Sequence, residues 1–291
     1  MPFEYTTAEE LIAICTKQQI SIGEVCLRRE MALQETTRES LLEKMRGHYR
    51  VMKDSIQKGL NLTETSPSGL SGGDAAKLFD YANSTQPLFG AEFAKVIAYG
   101  FAVLEHNAQF GRIVATPTAG SAGIVPACLF SLEEMKRIDE DKAVMALFTS
   151  AGIGVIIGAQ ANFSGAQGGC QAEVGSAACM AAAAVVESLG GSPQQALDAA
   201  AFALMNTLGL VCDPIGGYVE VPCVSRNGMF AVHAFQAAVM SLAGARCVVP
   251  FDHVVLAMRD IGRRMPRALK ETSQAGLATT PTGLRFPPPG Y

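Results

Sequence analysis

Residues 173–188 read Glu-Val-Gly-Ser-Ala-Ala-Cys-Met-Ala-Ala-Ala-Ala-Val-Val-Glu-Ser, a stretch dominated by alanine. Alanine has the highest intrinsic helix propensity, so the stretch predicts a helix over Glu173–Ser188. After the break Leu-Gly-Gly, the sequence Ser192-Pro193-Gln194-Gln195 matches a capping box with proline at the first helical position. It predicts a second helix that runs to about Leu208 and ends at Gly209.

Helical patterns continue on both sides of these two helices. Ser21-Ile22-Gly23-Glu24 matches another capping box and predicts one long helix from Ile22 to about Lys58. From Ser131 onward the sequence predicts one helical segment after another. The further predicted helices are Ala8–Lys17 (capped by Thr6 or Thr7), Glu92–Asn107, Asn227–Leu242 and Asp252–Met265. The sequence contains no convincing run of alternating strand residues and no internal repeat, so the predicted fold class is all-α.

One segment is long enough to be mistaken for a membrane span. Residues 143–172 contain no charged side chain, and an apolar run of that length can cross a bilayer. The run also holds six glycines between Gly152 and Gly169, with Asn162 and Gln167 near its end. These residues favour a buried helix that leads into a glycine-rich loop over a membrane helix.

Composition narrows the class of protein. The chain of 291 residues has a net charge of −4 and 17% charged residues, which gives no electrostatic basis for binding nucleic acid or an anionic membrane. It has 29 glycines and no tryptophan, so the interior is expected to be built from small side chains. The first ten residues lack the features of a signal peptide, and eight cysteines in that context indicate a reducing compartment. A cytoplasmic location is expected.

Three segments are predicted along the chain. Residues 1–60 form an N-terminal helical segment for packing or partner contact, residues 61–278 form the helical domain, and residues 279–291 form a proline-rich tail that is extended or disordered. Residues 59–73 are polar and rich in turn formers, which favours a plain linker. The alternative is an anion-binding loop that uses Ser71, Gly72 and Gly73.

A second candidate anion site lies in the segment Thr-Pro-Thr-Ala-Gly-Ser-Ala-Gly at residues 116–123. Pro117 cannot lie inside a helix, whereas Gly120 to Gly123 can begin one. Backbone N–H groups at such a helix start, with the hydroxyls of Thr116, Thr118 and Ser121 nearby, suit a carboxylate or a phosphate. Neither a dinucleotide-binding nor a P-loop glycine pattern is present here.

The eight cysteines fall into two groups. Cys170, Cys212 and Cys223 lie beside glycine or proline at breaks in the helical pattern. The other five lie within helix-like apolar patterns, as expected of small buried side chains. They are Cys15, Cys26, Cys128, Cys179 and Cys247. The spacings of 42 and 11 residues between these three cysteines are not diagnostic of a metal site. The sequence therefore allows both a shared metal site and three thiols that only pack in the core. Three thiolates would leave one iron of a [4Fe–4S] cluster without a cysteine ligand.

Three segments resemble one known family: residues 116–127, Gly-Cys-Gln-Ala-Glu-Val-Gly-Ser-Ala at 169–177, and Cys-Asp-Pro-Ile-Gly-Gly-Tyr-Val-Glu-Val-Pro-Cys-Val-Ser-Arg-Asn at 212–227. They are similar to the iron–sulfur-dependent L-serine dehydratases, and the chain resembles the separate α subunit of the two-chain form. The resemblance covers nearly the whole chain. It implies a helical catalytic domain and a [4Fe–4S] cluster held by Cys170, Cys212 and Cys223.

The chain departs from the single-chain relatives in two ways. Their C-terminal cysteine caps the open iron, but this sequence ends Pro-Pro-Pro-Gly-Tyr291, so water or substrate is expected at that iron. The domain with the Ser-Ser-His-Thr-type motif is missing and is expected on a partner β subunit.

The resemblance implies β-elimination of water from L-serine, giving pyruvate and ammonia without pyridoxal phosphate. The substrate carboxylate is assigned to the loop at 116–123 (Thr116, Thr118, Gly120 and Ser121), with Ser71, Gly72 and Gly73 as the second candidate. No general base is assigned in this chain, and the partner's histidine is one source of it. An L-cysteine desulfidase, a non-catalytic iron–sulfur sensor module and a helical scaffold with packed thiols are the alternatives.

Overall fold

The computed structural model describes residues 3–286, and within them the all-α prediction is confirmed. That part of the chain contains no β-strand, only an isolated bridge between Cys212 and Lys270. The helices are α1 (Ala8–Gln18), α2 (Ile22–Leu33), α3 (Arg38–Leu60), α4 (Asp74–Ala82), α5 (Ala91–Ala108), α6 (Ile124–Glu134), α7 (Glu140–Gln160), α8 (Gly165–Gly168), α9 (Ser176–Ser188), α10 (Pro193–Met205), α11 (Cys223–Leu242) and α12 (Phe251–Arg264).

The alanine-rich helix α9 is the centre of the fold. Its residues from Ser176 to Val186 are all buried, and α6, α7, α10 and α11 pack around it. Alanine allows these neighbouring backbones to approach closely while every side chain stays out of water. The helix predicted from Glu173 begins instead with one π-helical turn, Gln171–Gly175, and becomes α-helical at Ser176.

The charge-free stretch forms the core helix α7 and the turns that follow it. By length and composition alone, α7 could cross a membrane, but 61% of its most apolar window is buried inside the fold. It packs against α2 and α9. The predicted buried helix that leads into a glycine-rich loop is therefore confirmed.

The prediction of one helix from Ile22 to Lys58 is wrong, because α2 ends at Leu33 and α3 begins at Arg38. Glu35 adopts a left-handed backbone conformation with φ of 48°, which cannot continue an α-helix. The Thr37 side chain then accepts a hydrogen bond from the Ser40 N–H and caps α3. The predicted cap at Thr7 and the predicted capping box at Ser192 are formed. Of the box predicted at Ser21, only the hydrogen bond from the Glu24 N–H to the Ser21 hydroxyl is present.

The N-terminal helices share the core of the rest of the chain, since α2 packs on α7 and α3 packs on α5. Cys247 does not lie in a helix as predicted; it is half-buried in the loop between α11 and α12. In the C-terminal tail, residues 279–286 contain a short 3₁₀ turn at Gly283–Arg285, which packs near the turn Ile215–Gly217. The remainder of the predicted tail, 287–291, lies outside the described residues.

Candidate cofactor and substrate site

The three cysteines singled out in the sequence come together from three separate elements. Cys170 precedes the π-helical turn, Cys212 lies in the loop after α10, and Cys223 is the first residue of α11. All three are buried, the charges of Cys170 and Cys223 act to raise the pKa of Cys212, and that of Cys170 acts to raise the pKa of Cys223. Cys223 thus lies where a loop meets a helix, and α11 begins four residues before the predicted start at Asn227.

Hydrogen bonds of the Gln171 backbone and side chain hold the first two cysteine loops together. The Gln171 N–H donates to the Leu210 carbonyl at 3.1 Å, and the Gln171 Oε1 accepts from the Gly209 N–H at 2.9 Å. Gly169, with φ of 77°, provides the left-handed turn before Cys170. The two bonds from Gln171 fix Cys170 relative to the approach to Cys212.

The chain that follows α12 holds Cys212 from the other side. The Cys212 N–H donates to the Leu269 carbonyl at 2.9 Å, and the Cys212 carbonyl accepts from the Glu271 N–H at 2.7 Å. The Asp213 carboxylate accepts from the Leu277 N–H at 2.8 Å. Cys212 is therefore positioned by residues nearly sixty places later in the sequence.

Burial disfavours the charged thiolate form of all three cysteines. Burial raises the pKa of Cys170 to about 11 and that of Cys223 to about 12, while burial and the neighbouring cysteines and carboxylates raise the pKa of Cys212 further. The Arg226 guanidinium acts against this increase at Cys170 and Cys223. Arg226 is held by the Val211 carbonyl at 3.0 Å and by Asp213 at 3.4 Å.

The donor set fits an extended cluster better than a single ion. Among the described residues, no three His, Cys, Asp or Glu side chains converge closely enough to hold one metal ion. A [4Fe–4S] cluster is ligated through different irons, so its thiolates are spread around a larger body. Three buried thiols match that requirement in ligand type, and the Arg226 guanidinium favours the thiolate form of Cys170 and Cys223.

The loop at 116–123 forms a 3₁₀ turn, Ala119–Ser121, before α6. The Thr118 and Ser121 hydroxyl oxygens lie 3.1 Å apart, and Ser121 Oγ donates to the Thr116 carbonyl at 3.3 Å. In the part of the chain that the structure describes, the N–H groups of Ala119 and Gly120 donate to no acceptor, although Gly120 is buried. They are the first N–H groups of a helical turn, which have no partner within the turn, and Ala119 is exposed to water.

Glu173 lies between this loop and the cysteines. Its Oε2 is 3.9 Å from the Cys212 sulfur, and its carboxylate interacts with the Thr118 hydroxyl. A Cβ added to Gly120 would lie 3.4 Å from Glu173 Oε1, and one added to Gly165 would lie 2.5 Å from Oε2. Burial raises the pKa of this carboxyl.

Sequence reasoning assigned no role to Glu173, although a signal was present. It is the one charged residue between Lys142 and Glu187, a stretch of otherwise uncharged sequence. Burying an unpaired charge is costly, so a single carboxylate in such an apolar stretch is expected to have polar partners or to line a cavity.

Asn227 joins the loop at 116–123 to the third cysteine. Its Oδ1 accepts from the Gly123 N–H at 2.8 Å, and its Nδ2 donates to the carbonyls of Gly120 and Cys223, each at 2.8 Å. The side chain is completely buried. Both candidate regions, for the anion and for the thiols, are thus built on the start of α11.

The second candidate anion loop is occupied by the protein's own carboxylates. The Ser71 hydroxyl donates to Glu220, as do those of Ser66 and Ser68. The Gly73 N–H donates at 3.0 Å to Glu105, which also accepts from the first two N–H groups of α4. Gly72 is needed for its backbone conformation, with φ of 124°. Ser71, Gly72 and Gly73 therefore fix the loop after α3 to the segment that leads to Cys223.

The four histidines lie on helices away from these groups. His48 and His253 are exposed, and His233 is hydrogen-bonded to the Ala203 carbonyl at 2.9 Å. His106 packs against Gly111, where its ring would contact any added Cβ. None of the four is among the groups that shift the pKa of the three cysteines.

Comparison with known proteins agrees with the resemblance read from the motifs. A sequence profile of the family described as "Serine dehydratase alpha chain" matches residues 17–278. The chain is 48% identical over 279 residues to the probable L-serine dehydratase, alpha chain, of Bacillus subtilis, covering 96% of this chain and 93% of that protein. It is 44% identical over 280 residues to the L-serine dehydratase, alpha chain, of Peptoniphilus asaccharolyticus, covering 96% of each.

A further relative is the L-serine dehydratase of Streptomyces coelicolor, which is 38% identical over 288 residues. That alignment covers 96% of this chain but 61% of the Streptomyces protein. The family match and these identities extend over both the helical core and the three cysteine segments. This chain belongs to the serine dehydratase alpha chain family.

Proposed function

We propose that this chain is the α subunit of an L-serine ammonia-lyase that converts L-serine to pyruvate and ammonia. In this proposal Cys170, Cys212 and Cys223 hold a [4Fe–4S] cluster, a separate β subunit completes the enzyme, and the location is cytoplasmic. The observation that carries it is the meeting of three buried thiols, supplied by three separate elements, beside the turn Ala119–Ser121, whose first two N–H groups have no acceptor among the described residues.

When bound, the cluster would supply a Lewis acid at the iron that no cysteine ligates, which favours loss of the serine hydroxyl. The chain's own residues bind and orient the substrate. The N–H groups of Ala119 and Gly120 and the hydroxyls of Thr118 and Ser121 are proposed to bind the serine carboxylate. The Glu173 carboxylate holds the Thr118 hydroxyl in place and can pair with the serine ammonium group.

The reaction balances without an external oxidant or reductant. Removal of the Cα proton and of the β-hydroxyl releases one water and leaves aminoacrylate, which tautomerises to an imine. Hydrolysis of the imine consumes one water and gives pyruvate and ammonia. Since no histidine of this chain contacts the site, we assign the acceptor of the Cα proton to the β subunit. Pyridoxal phosphate has no part in this scheme.

The cluster is tested by measuring iron and acid-labile sulfide in protein purified under strict anaerobiosis. Wild type is expected to contain about four of each per chain, and Cys212→Ser is expected to lose most of both. The matched control is Cys128→Ser, since Cys128 is a completely buried thiol in the α6 core. Wild-type protein without iron or sulfide would leave packed thiols and contradict the proposal.

Substrate class is tested with the anaerobic α chain and its β partner together. Pyruvate formation from L-serine well above that from L-cysteine supports the dehydratase. Faster release of sulfide from L-cysteine would favour a desulfidase. Binding of serine without any pyruvate would favour a sensor module that uses the same cluster.

A further inference from the structure

A cavity of about 590 Å³ lies between α12, the segment after α12 and the loop that leads to Cys170. Four cationic side chains line it: Arg259, Arg263, Arg267 and Lys270. No aspartate or glutamate is among its lining residues. None of the three cysteines of the candidate cofactor site lines it either, so it is a separate feature of the molecule.

The four cations lack acidic partners. Within residues 3–286, none of them forms an ion pair, and Arg259 donates its one hydrogen bond to the Gln160 carbonyl at 3.0 Å. The carboxylate of α12 nearest in sequence, Asp260, pairs with Arg264 at 2.9 Å instead. Like charges that line one cavity repel one another, and although water screens the exposed Arg263 and Arg267, an anion between the four cations would relieve that repulsion.

Interaction with the helix dipole explains only part of the cluster. Basic residues in the last turn of a helix are favourable, and Arg263 and Arg264 lie in the last turn of α12. Arg267 and Lys270 lie beyond the end of α12, yet they line the same cavity. The helix dipole therefore does not explain why Arg267 and Lys270 line the same cavity as the arginines of α12.

The rest of the wall provides neutral donors and a close-packed base. Asn162 and Gln167 line the cavity with amide side chains. Gly262 and Gly168 pack so closely that a Cβ on Gly262 would lie 2.9 Å from the Gly168 Cα. Amide donors beside several cations are the groups that bind phosphate and carboxylate oxygens in proteins.

We propose that this cavity binds a compact anion with two or more negative charges, of the phosphate or di- and tricarboxylate class. Gly168 and Ala172, two residues before and two after Cys170, form part of its wall. Occupancy of the cavity therefore orders the segment that carries Cys170. The site does not depend on the proposed serine chemistry, and its test does not measure turnover.

The test is isothermal titration calorimetry on the full-length chain, purified anaerobically, with inorganic phosphate, succinate and acetate as probes. Phosphate or succinate is expected to bind at one site and acetate far more weakly. The double variant R263Q/R267Q is expected to bind about tenfold more weakly, because two charge contacts are lost. The tighter of the two dianions identifies the ligand class.

The matched control is K44Q/R50Q, which also removes two positive charges, from exposed positions on α3. It is expected to bind like wild type. Hydrogen exchange across residues 161–172 should slow with phosphate in wild type and in this control, but not in R263Q/R267Q. Lys270→Gln gives the same comparison if the double variant is poorly folded. Absence of dianion binding, or an equal loss in K44Q/R50Q, would overturn the proposal.

Discussion

Asn227 is the residue on which the candidate site most depends. Its amide group makes three hydrogen bonds, all at 2.8 Å, to the loop at 116–123 and to the Cys223 carbonyl. An amide can donate and accept at once, and this position uses both functions. Alanine would leave the Gly123 N–H and the Gly120 carbonyl without partners, whereas the Cys223 carbonyl keeps its bond from the backbone N–H within α11. Aspartate could not donate to either carbonyl.

Asn227→Ala is accordingly expected to lower the free energy of unfolding by about 3 kcal/mol, measured by anaerobic urea denaturation. Asn227→Asp should be at least as destabilising. Asn206→Ala is the control, since Asn206 is exposed at the end of α10 and bonds only to the Phe202 carbonyl. A loss at Asn227 no larger than that at Asn206 would show that the amide does not hold the site together.

At the scale of elements, the crossing of α3 and α5 depends on a glycine. Gly59 is buried in α3, and a Cβ placed there would overlap the backbone of Ala102 in α5. Gly47 lies in the same helix, and a Cβ there would meet no atom within 4 Å. The two glycines therefore separate the steric effect of a methyl group from its effect on helix propensity.

Gly59→Ala is expected to destabilise the fold by more than about 3 kcal/mol, because α3 and α5 must move apart. Gly47→Ala is expected to stabilise it by about 0.5–1 kcal/mol, because alanine favours the helix. Thermal unfolding followed by circular dichroism measures both. Equal shifts in the two variants would show that the crossing can adjust to a side chain at residue 59.

The junction between α2 and α3 is stabilised by a charge cluster. Glu24 of α2 accepts from Arg28 Nε at 2.7 Å and from Arg38 of α3 at 2.8 Å. Partial burial acts to raise the pKa of the Glu24 carboxyl, but the hydrogen bonds and charges of the two arginines outweigh it and lower the pKa below 4.5. A carboxyl whose pKa is lower in the folded state stabilises the fold above its unfolded pKa.

Glu24→Gln is therefore expected to cost about 1 kcal/mol at pH 7, a modest value because both arginines are 40% exposed. The difference from wild type should shrink as the pH falls below about 4.5 and the wild-type carboxyl becomes protonated. Urea unfolding at pH 7 and pH 3.5 measures it, with the exposed Glu64→Gln as control. A difference that is independent of pH would contradict the charge interaction.

At the scale of the whole molecule, the chain matches one part of some relatives and nearly all of others. It covers 96% of the Peptoniphilus alpha chain but 61% of the Streptomyces protein. In the proposed enzyme, the remaining part is supplied by the β subunit. The α chain alone is therefore expected to form no pyruvate, and addition of the β subunit should restore turnover of L-serine.

An iron without a cysteine ligand should also make the complete enzyme sensitive to air. Activity of the α and β subunits together is expected to fall rapidly on aeration, with release of iron, while a sample kept under nitrogen retains both. Iron content and pyruvate formation followed over the same interval measure this. Activity that survives prolonged aeration without loss of iron would contradict an open iron in the proposed cluster.

The sequence alone determined the features that depend on near neighbours. Alanine content predicted the central helix, and the cap at Thr6 or Thr7 and the capping box at Ser192 predicted where α1 and α10 begin. These signals act over about one helical turn, which is why they can be read without a structure. The motifs around Cys170, Cys212 and Cys223 were sufficient to indicate the family.

Only the tertiary structure decided which of these residues work together. The bond from Gly123 to Asn227 joins residues 104 positions apart, and the contact between Cys212 and Glu173 joins residues 39 positions apart. The attachment of the serine-rich loop to Glu220 and the cavity between the four cations and residues 161–172 likewise depend on distant partners. Packing of the small-residue core brings these groups together, and local propensity carries no information about that packing.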